Sequence, residues 1–392
     1  MKKFLFVSHD ANRAGAQILL LRFLKKLVER TDVHVHILLK HGGPLAEEFE
    51  RLAPTFYAYP PVGRRQRAWR RFLRQVDSRV GMLPHLAGDT YDLIVSNTIT
   101  NGDLLAALAA LGCPIVTYAH ELEIGISMYT TPEAFALTLR HTDFFMACSR
   151  VQRERYIANY RLDPARIDYL PSLLPEETSQ TGALLGQSDP LRRRLGLPTE
   201  ALLVGCMGTF DWRKGIDVFV QLARRVPDAI AGKSVVFVWV GGSHGQVEYK
   251  TVAEDVRRLG LGERVLFVEN QPNPLDYMTC FDVFALPSRE EPYPLVVLEA
   301  ALLEKPIVCF DQSGGAREVV HDDAGVVCDY LDVECMAHEI TALLADEPRR
   351  HRMGRTGRQR VLAQHHDDLA MNEFLRLLGK YSSSVVGESV IS

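Results

Sequence analysis

The sequence has no apolar run approaching the roughly 20 residues that a membrane-crossing helix needs, which excludes a helical membrane protein. Its start, Lys2-Lys3 followed by Phe4-Leu5-Phe6-Val7, is too short for a signal-peptide core, so a soluble chain that stays in the cytoplasm is expected. Charge of one sign is not in excess: Lys+Arg 45 stand against Asp+Glu 49, a formal charge of −4, and no dedicated nucleic-acid binder is expected. There is no Cys-x-x-Cys pair. The seven cysteines (113, 148, 206, 280, 309, 328 and 335) are scattered, mostly in or beside apolar segments, and predict reduced core thiols. No Gly-x-Gly-x-x-Gly is present, so a dinucleotide fingerprint is excluded. The 13 histidines show no zinc-type spacing, and His365-His366-Asp367-Asp368 reads as a solvated helix start.

What is present is an ordinary globular composition, 392 residues with 47% hydrophobic and 24% charged, enough for two or three domains with their own cores. Short β-rich runs alternate with helical patterns, the mark of parallel sheets covered on both faces by helices. The first series of strands is Phe4–Ser8, Val33–Leu39, Thr55–Tyr59, Asp92–Ser96, Ile115–His120 and Phe144–Cys148. A helix from about Gly15 repeats Ala16, Leu19, Leu20, Phe23, Leu24, Leu27 and Val28 on one face and should dock on the sheet. The second series is Leu202–Met207, Val235–Gly241, Val265–Val268, Val283–Leu286, Ile307–Phe310 and Gly325–Cys328. Between them Pro171, Pro175, Pro190 and Pro198 sit among small polar residues, the composition of a linker. The expected division is a Rossmann-like domain over 1–172, a linker over 173–198, a second such domain over 199–365, a helix over 366–380 returning to the first domain, and a flexible tail over 381–392. Helical patterns run over Asp332–Leu344, Pro348–Leu362 and Asp367–Leu378. Open α/β sheets bind ligands beyond the strand C-terminal edges, so function is expected in the loops that follow strands, in a cleft between the domains.

Four such loops carry candidate chemistry. His9 to Gln17 closes on Gly15 and Ala16 at a helix start, where backbone N–H groups and the helix dipole favour an anion; a merely structural βα turn fits the same residues. Gly208-Thr209-Phe210-Asp211-Trp212-Arg213-Lys214-Gly215 ends a strand and opens a helix, placing two cations where they suit a diphosphate, although adjacent bases are common on surfaces. Gly241-Gly242-Ser243 permits close backbone approach, which a tight turn needs equally. The strongest local signal is Pro287 to Ala300. Pro292 and Pro294 keep Glu291 extended as a loop acid and let a helix start at about Pro294 or Leu295. Glu299 then stands in an otherwise apolar helix, where a carboxylate needs a partner; the plain alternative is a satisfied helix-start glutamate.

Glu291, seven residues and Glu299, with Gly-x-x-x-x-Arg-Lys-Gly upstream and Ser313-Gly314-Gly315 with Glu318 downstream, resemble the family 4 retaining glycosyltransferases, glycosyl transferases group 1, of the GT-B fold. The similarity runs over essentially the whole chain, including Gly15-Ala16-Gln17, Tyr118-Ala119-His120-Glu121 and the segment Leu191-Arg192-Arg193-Arg194-Leu195-Gly196-Leu197-Pro198. The resemblance implies two Rossmann-like domains with parallel sheets facing an interdomain cleft. It also implies a nucleoside-diphosphate sugar donor, UDP- or GDP-linked, held mainly by the second domain, and a glycan or lipid-linked acceptor on the first. Residue by residue it implies that Glu299 holds the ribose hydroxyls, Glu291 lies near the sugar, and Lys214 with Arg213 neutralises the leaving diphosphate. Gly15, Ala16, Gly314 and Gly315 would bring backbone amides to phosphate, His120 would contact the transferred sugar, and Thr209, Gly241 and Leu295 complete the donor-binding set. No metal or other cofactor is implied. Glu291, His120 and Lys214 are thus the catalytic candidates.

The sequence departs from the family where Thr209 stands in place of a common arginine, a charge that Arg213 could replace. Glu290 is adjacent to Glu291, and the seven-residue interval selects Glu291. A glycosidase reading fits poorly: at helical rise the two acids would be about 12 Å apart, and they come from one segment instead of opposite walls. A non-catalytic nucleotide- or glycan-binding module of the same fold stays open, and a sugar epimerase or phosphorylase relative has less support. Residues 64–79 hold seven arginines and one acid, with Trp69, Phe72, Leu73 and Val76 on one helical face. Such a helix suits an anionic membrane surface, at the inner face of the plasma membrane, or a solvated domain face.

Overall fold

The computed structural model describes residues 1–59, 86, 88–174, 192, 196–197 and 200–383. The arginine-rich segment 64–79 and most of 173–198 lie outside the described residues. The chain divides into two compact units, Met1–Leu173 together with the helix Asp367–Ser382, and Leu174–His366.

In the first unit the strands are β1 (Lys3–Ser8), β2 (His34–Leu39), β3 (Thr55–Tyr57), β4 (Leu93–Asn97), β5 (Ile115–Ala119), β6 (Phe144–Ala147) and β7 (Ile167–Tyr169). They pair in parallel in the order β3-β2-β1-β4-β5-β6-β7. Phe4, Leu5, Phe6 and Val7 are buried in succession, as a strand covered on both faces requires. The helix Gly15–Arg30 buries Leu19, Leu20, Phe23, Leu24 and Leu27. Val28, expected on the same stripe, is 39% exposed, near the C-terminal end of that helix. Asp367–Ser382 packs on this unit through Phe374, whose ring stands 4.6 Å from that of Phe23 and 6.4 Å from that of Phe6. Tyr381 stacks on Phe144 at 4.7 Å and donates its hydroxyl to Asp168 at 2.6 Å. Lys26 and Arg30 pair with Asp367 and Asp368, each at 2.8 Å.

The second unit contains β8 (Leu202–Met207), β9 (Ala229–Ile230), β10 (Lys233–Val240), β11 (Val265–Val268), β12 (Val283–Leu286), β13 (Ile307–Phe310) and β14 (Gly325–Cys328). Its parallel path runs β11-β10-β8-β12-β13-β14, and β9 adds an antiparallel edge to β10. The sequence pattern does not find β7 or β9. The first is three residues with an aspartate at its centre; the second is half of a hairpin closed by Ala231 and Gly232, whose φ values of 51° and 78° match the twist of paired strands. The seven cysteines are free thiols, and those at 148, 206, 280, 309 and 328 are buried.

Both sheets reverse their winding beside the first strand. β1 lies between β2 and β4, and β8 lies between β10 and β12. The crossovers leave in opposite directions from these pairs, and the C-terminal ends of strands at such a reversal are where open α/β sheets bind ligands.

Phe374→Ala should destabilise the first unit by about 3–5 kcal/mol, because the ring fills the space between Phe6 and Phe23. Urea unfolding followed by far-UV circular dichroism checks this, and a loss below about 1 kcal/mol would show that the C-terminal helix is not part of the core.

Candidate functional site

In the second unit β8 ends at Met207 and the chain turns through Gly208–Gly215 into the helix Ile216–Arg225. Gly215 caps that helix with φ of 76°, and a Cβ there would lie 2.1 Å from the Pro287 carbonyl oxygen, so only glycine lets the loops after β8 and β12 meet. The contact is fastened by the Arg289 N–H donating to the Arg213 carbonyl at 2.8 Å and the Ser288 hydroxyl donating to the Lys214 carbonyl at 3.3 Å. The loop after β10 joins from the other side, with Gly241 against the Gly208 backbone and the Trp239 indole donating to the Gly208 carbonyl at 2.9 Å.

Glu291 is central to this arrangement. Expected as a loop acid, it is only 5% exposed, because its backbone joins a parallel bridge to Gly314. Glu291 N–H donates to the Ser313 carbonyl at 2.7 Å, and Gly315 N–H donates to the Glu291 carbonyl at 3.1 Å. Gly314 has φ of 132°, and a Cβ would fall 1.9 Å from the Glu291 carbonyl oxygen. The carboxylate receives the Lys214 ammonium on Oε1 and the Arg213 guanidinium on Oε2, the latter at 3.6 Å. Arg213 Nη1 also donates to the Glu290 carbonyl at 2.6 Å. Burial alone would raise the Glu291 carboxyl, but Lys214 and then Arg213 overcome it and hold the group below its usual range. Two cations are thus gathered beside a helix start, a place suited to anionic oxygen.

The other second-unit candidates cluster by chain position. The helix Leu295–Leu302 starts directly after Pro294, with Leu295 and Glu299 half-buried. Thr209 is exposed in the Gly208–Gly215 loop. Sequence reasoning missed Arg289, which clamps Asp217 through both terminal nitrogens at 2.8 Å, donates to the Trp212 carbonyl at 2.7 Å and stands 4.3 Å over the Trp212 ring. Its place in Ser288-Arg289-Glu290-Glu291 was visible, but not which way it points. His365 corrects an expectation: it is buried, not solvated, because the Tyr293 hydroxyl pairs with its Nε2 at 2.6 Å.

In the first unit the ends of β1, β4 and β5 converge. The helix Gly15–Arg30 begins after Ala14 with no side-chain cap, so the first-turn amides at exposed Gly15 and half-buried Ala16 are not taken up by a capping side chain. His120 stands one residue beyond β5, not within the strand, because pairing with β6 ends at Ala119. Its Nε2 lies 2.9 Å from Asn97 Oδ1, and Asn97 Nδ2 donates to the Ala16 carbonyl at 3.1 Å. Asn97, buried at the end of β4, thus brings His120 and the helix start together; its only sequence signal is a polar residue closing an apolar run. Burial, with the nearby His9, lowers the His120 imidazole to about 3, so the ring is neutral at neutral pH. Glu121 Oε2 accepts the N–H groups of His120 at 3.0 Å and Ile99 at 3.3 Å. Among the described residues no group of three or more His, Cys, Asp or Glu side chains converges in a metal-ligating arrangement.

The depressed carboxyl of Glu291 has a folded value below its unfolded one. Its stabilisation is therefore present above the ordinary carboxylate range, about pH 4, and is lost as the pH falls through the depressed value. Glu291→Gln should destabilise the second unit by about 3–5 kcal/mol at neutral pH and flatten the acid side of its stability profile. Urea midpoints between about pH 3 and pH 7 test this; a variant with an unchanged slope would rule out the ion pair as the cause.

Comparison with known proteins follows the same division. The Glycosyl transferases group 1 profile matches residues 187–360, and the Glycosyltransferase Family 4 profile matches residues 13–173. A D-inositol 3-phosphate glycosyltransferase of Xylanimonas cellulosilytica is 32% identical over 223 residues, 54% of this chain and 51% of that one. D-inositol 3-phosphate glycosyltransferase 1 of Catenulispora acidiphila is 26% identical over 342 residues, covering 80% and 79%. The chain spans about half to three fifths of the length of the first two curated relatives it matches. The crystal structure of Anabaena Alr3699/HepE with UDP-glucose superposes with a TM-score of 0.79 at 20% identity, covering 97% of this chain and all of that one. WaaG, a glycosyltransferase involved in lipopolysaccharide biosynthesis, gives 0.70 at 16% identity over 98% of this chain and 100% of its own. These likenesses establish the GT-B fold, and with the two profiles together spanning most of the sequence, the chain belongs to the family 4, group 1 glycosyltransferases.

Proposed function

We propose that the protein transfers a glycosyl group, with retention of anomeric configuration, from a UDP- or GDP-linked sugar to a glycan or lipid-linked acceptor in cell-envelope polysaccharide or glycoconjugate synthesis. The observation that carries this reading is the Arg213–Lys214 pair gathered on the buried carboxylate of Glu291 at the β8 and β12 ends. A departing nucleoside diphosphate gains negative charge, and a cation already fixed at that place stabilises the charge without reorganisation. Lys214 takes that role with Arg213 beside it, and no metal is assigned. Glu291 orders the cations and faces the sugar side, and Glu299 accepts from the ribose hydroxyls. Gly314 and Gly315 offer backbone amides, while Thr209, Gly241 and Leu295 line the donor site. In the first unit His120 meets a sugar hydroxyl and the Gly15-Ala16 turn receives an anionic group.

Support for the substrate classes comes from relatives. HepE was crystallised with UDP-glucose, and LpsE of Rhizobium meliloti, 27% identical over 188 residues, is a lipopolysaccharide core biosynthesis glycosyltransferase. Among the described residues no helix is long and apolar enough to cross a membrane. A lipid-linked acceptor would be reached from the cytoplasmic side at an anionic membrane surface, with residues 64–79 as the contact; nucleic acid has no part in this reading.

The test is release of UDP or GDP from a panel of nucleotide-sugars, with and without membrane glycans. Glu299→Ala should weaken nucleotide binding about tenfold, from the loss of a hydrogen bond to a charged acceptor. Lys214→Ala should lower kcat by about a hundredfold or more. Unchanged kinetics in both variants would remove the site assignment, and nucleotide binding with no release under any condition would point to a binding module.

A further inference from the structure

Asn97 is fully buried, and its two amide atoms have different neighbours. The Ala16 carbonyl, 3.1 Å away, can only accept, so the amide NH2 must face it and the amide oxygen must face the His120 ring. That oxygen lies 2.9 Å from His120 Nε2 and can only accept in turn, so Nε2 carries a proton. A neutral imidazole has one such proton. Nδ1 is therefore left with the lone pair and accepts a hydrogen bond but does not donate one. The ring plane is held by Tyr118, with centroids 4.1 Å apart, and its backbone by Glu121.

We propose that Asn97 is the positioning residue of the first unit, fixing His120 as the Nε2–H tautomer, presenting Nδ1 as an acceptor for a sugar hydroxyl, and tying the ring to the Gly15-Ala16 turn. The inference rests on the reading of His120 as a group that meets a sugar, and deepens it. A lone-pair nitrogen selects a sugar that bears a free O–H at that place. A carboxylate or phosphate oxygen there meets the lone pair and is repelled, and a deoxy sugar leaves the nitrogen unpaired.

The experiment is a long-range proton–nitrogen spectrum of the full chain labelled with ¹⁵N-histidine at neutral pH, with His120 assigned through His120→Gln. The expected result is a protonated Nε2 and an unprotonated Nδ1; the reverse pattern in the unmodified protein overturns the proposal. Asn97→Asp keeps an acceptor facing Nε2 and should keep its proton while losing the donor to Ala16. Asn97→Ala should give mixed tautomers and a kcat/KM for the sugar donor about tenfold lower. If Asn97→Ala does not fold, the unmodified and Asn97→Asp spectra decide, and loss of the Nε2 proton in Asn97→Asp counts against the proposal. The spectrum is read without substrate. An Nε2–H ring in a protein that releases no nucleotide supports the positioning role and removes only the transferase reading.

Discussion

One carboxylate drawn out of water beneath two cations organises the second unit. Glu291 is inside because the bridge to Gly314 and the bonds through Ser313 and Gly315 put its backbone there. An isolated charge at that depth would neutralise, so the site depends on Lys214 and Arg213 reaching it. The same pairing pins the loop after β8 to the loop after β12, and the bridge to Gly314 adds the loop after β13. Removing either side leaves the other buried and uncompensated, which makes the cluster at once a structural clasp and a charged surface for a ligand.

The first unit reaches a comparable end by a different route. Alongside the buried Glu121 it uses an uncapped helix start, a neutral imidazole and an amide whose two atoms face opposite ways. Neutrality matters: burial keeps a second proton off His120, so the ring offers direction instead of charge. Both groups sit where their sheet reverses its winding, and the parallel topology places them there irrespective of the chemistry they carry.

Much of this was legible in the sequence, for physical reasons that differ along the chain. Strands β11 to β14 are continuous apolar runs bounded by turn residues, and their limits follow from composition alone. Strand β7 is too short and too polar to register, and β9 exists only because its hairpin partner does. At the site, residue types and spacing marked Glu291, Glu299, Arg213 and Lys214. Their partners were hidden: nothing in the order of residues says that Lys214 meets Glu291, that Arg289 turns back onto Asp217 and Trp212, or that His365 is covered by Tyr293. Such pairings are set by which loops the fold brings face to face.

The helix that supplies Phe374 and Tyr381 belongs to the unit that begins at Met1, yet it follows the whole of Leu174–His366 in the chain. During synthesis on the ribosome the first sheet therefore emerges long before the element that covers Phe6 and Phe23. The second unit, continuous in sequence, can complete its core while the first still presents bare aromatic surface to solvent. The older half of the nascent chain is the later to finish, and in that interval its exposed face is a natural client for a chaperone.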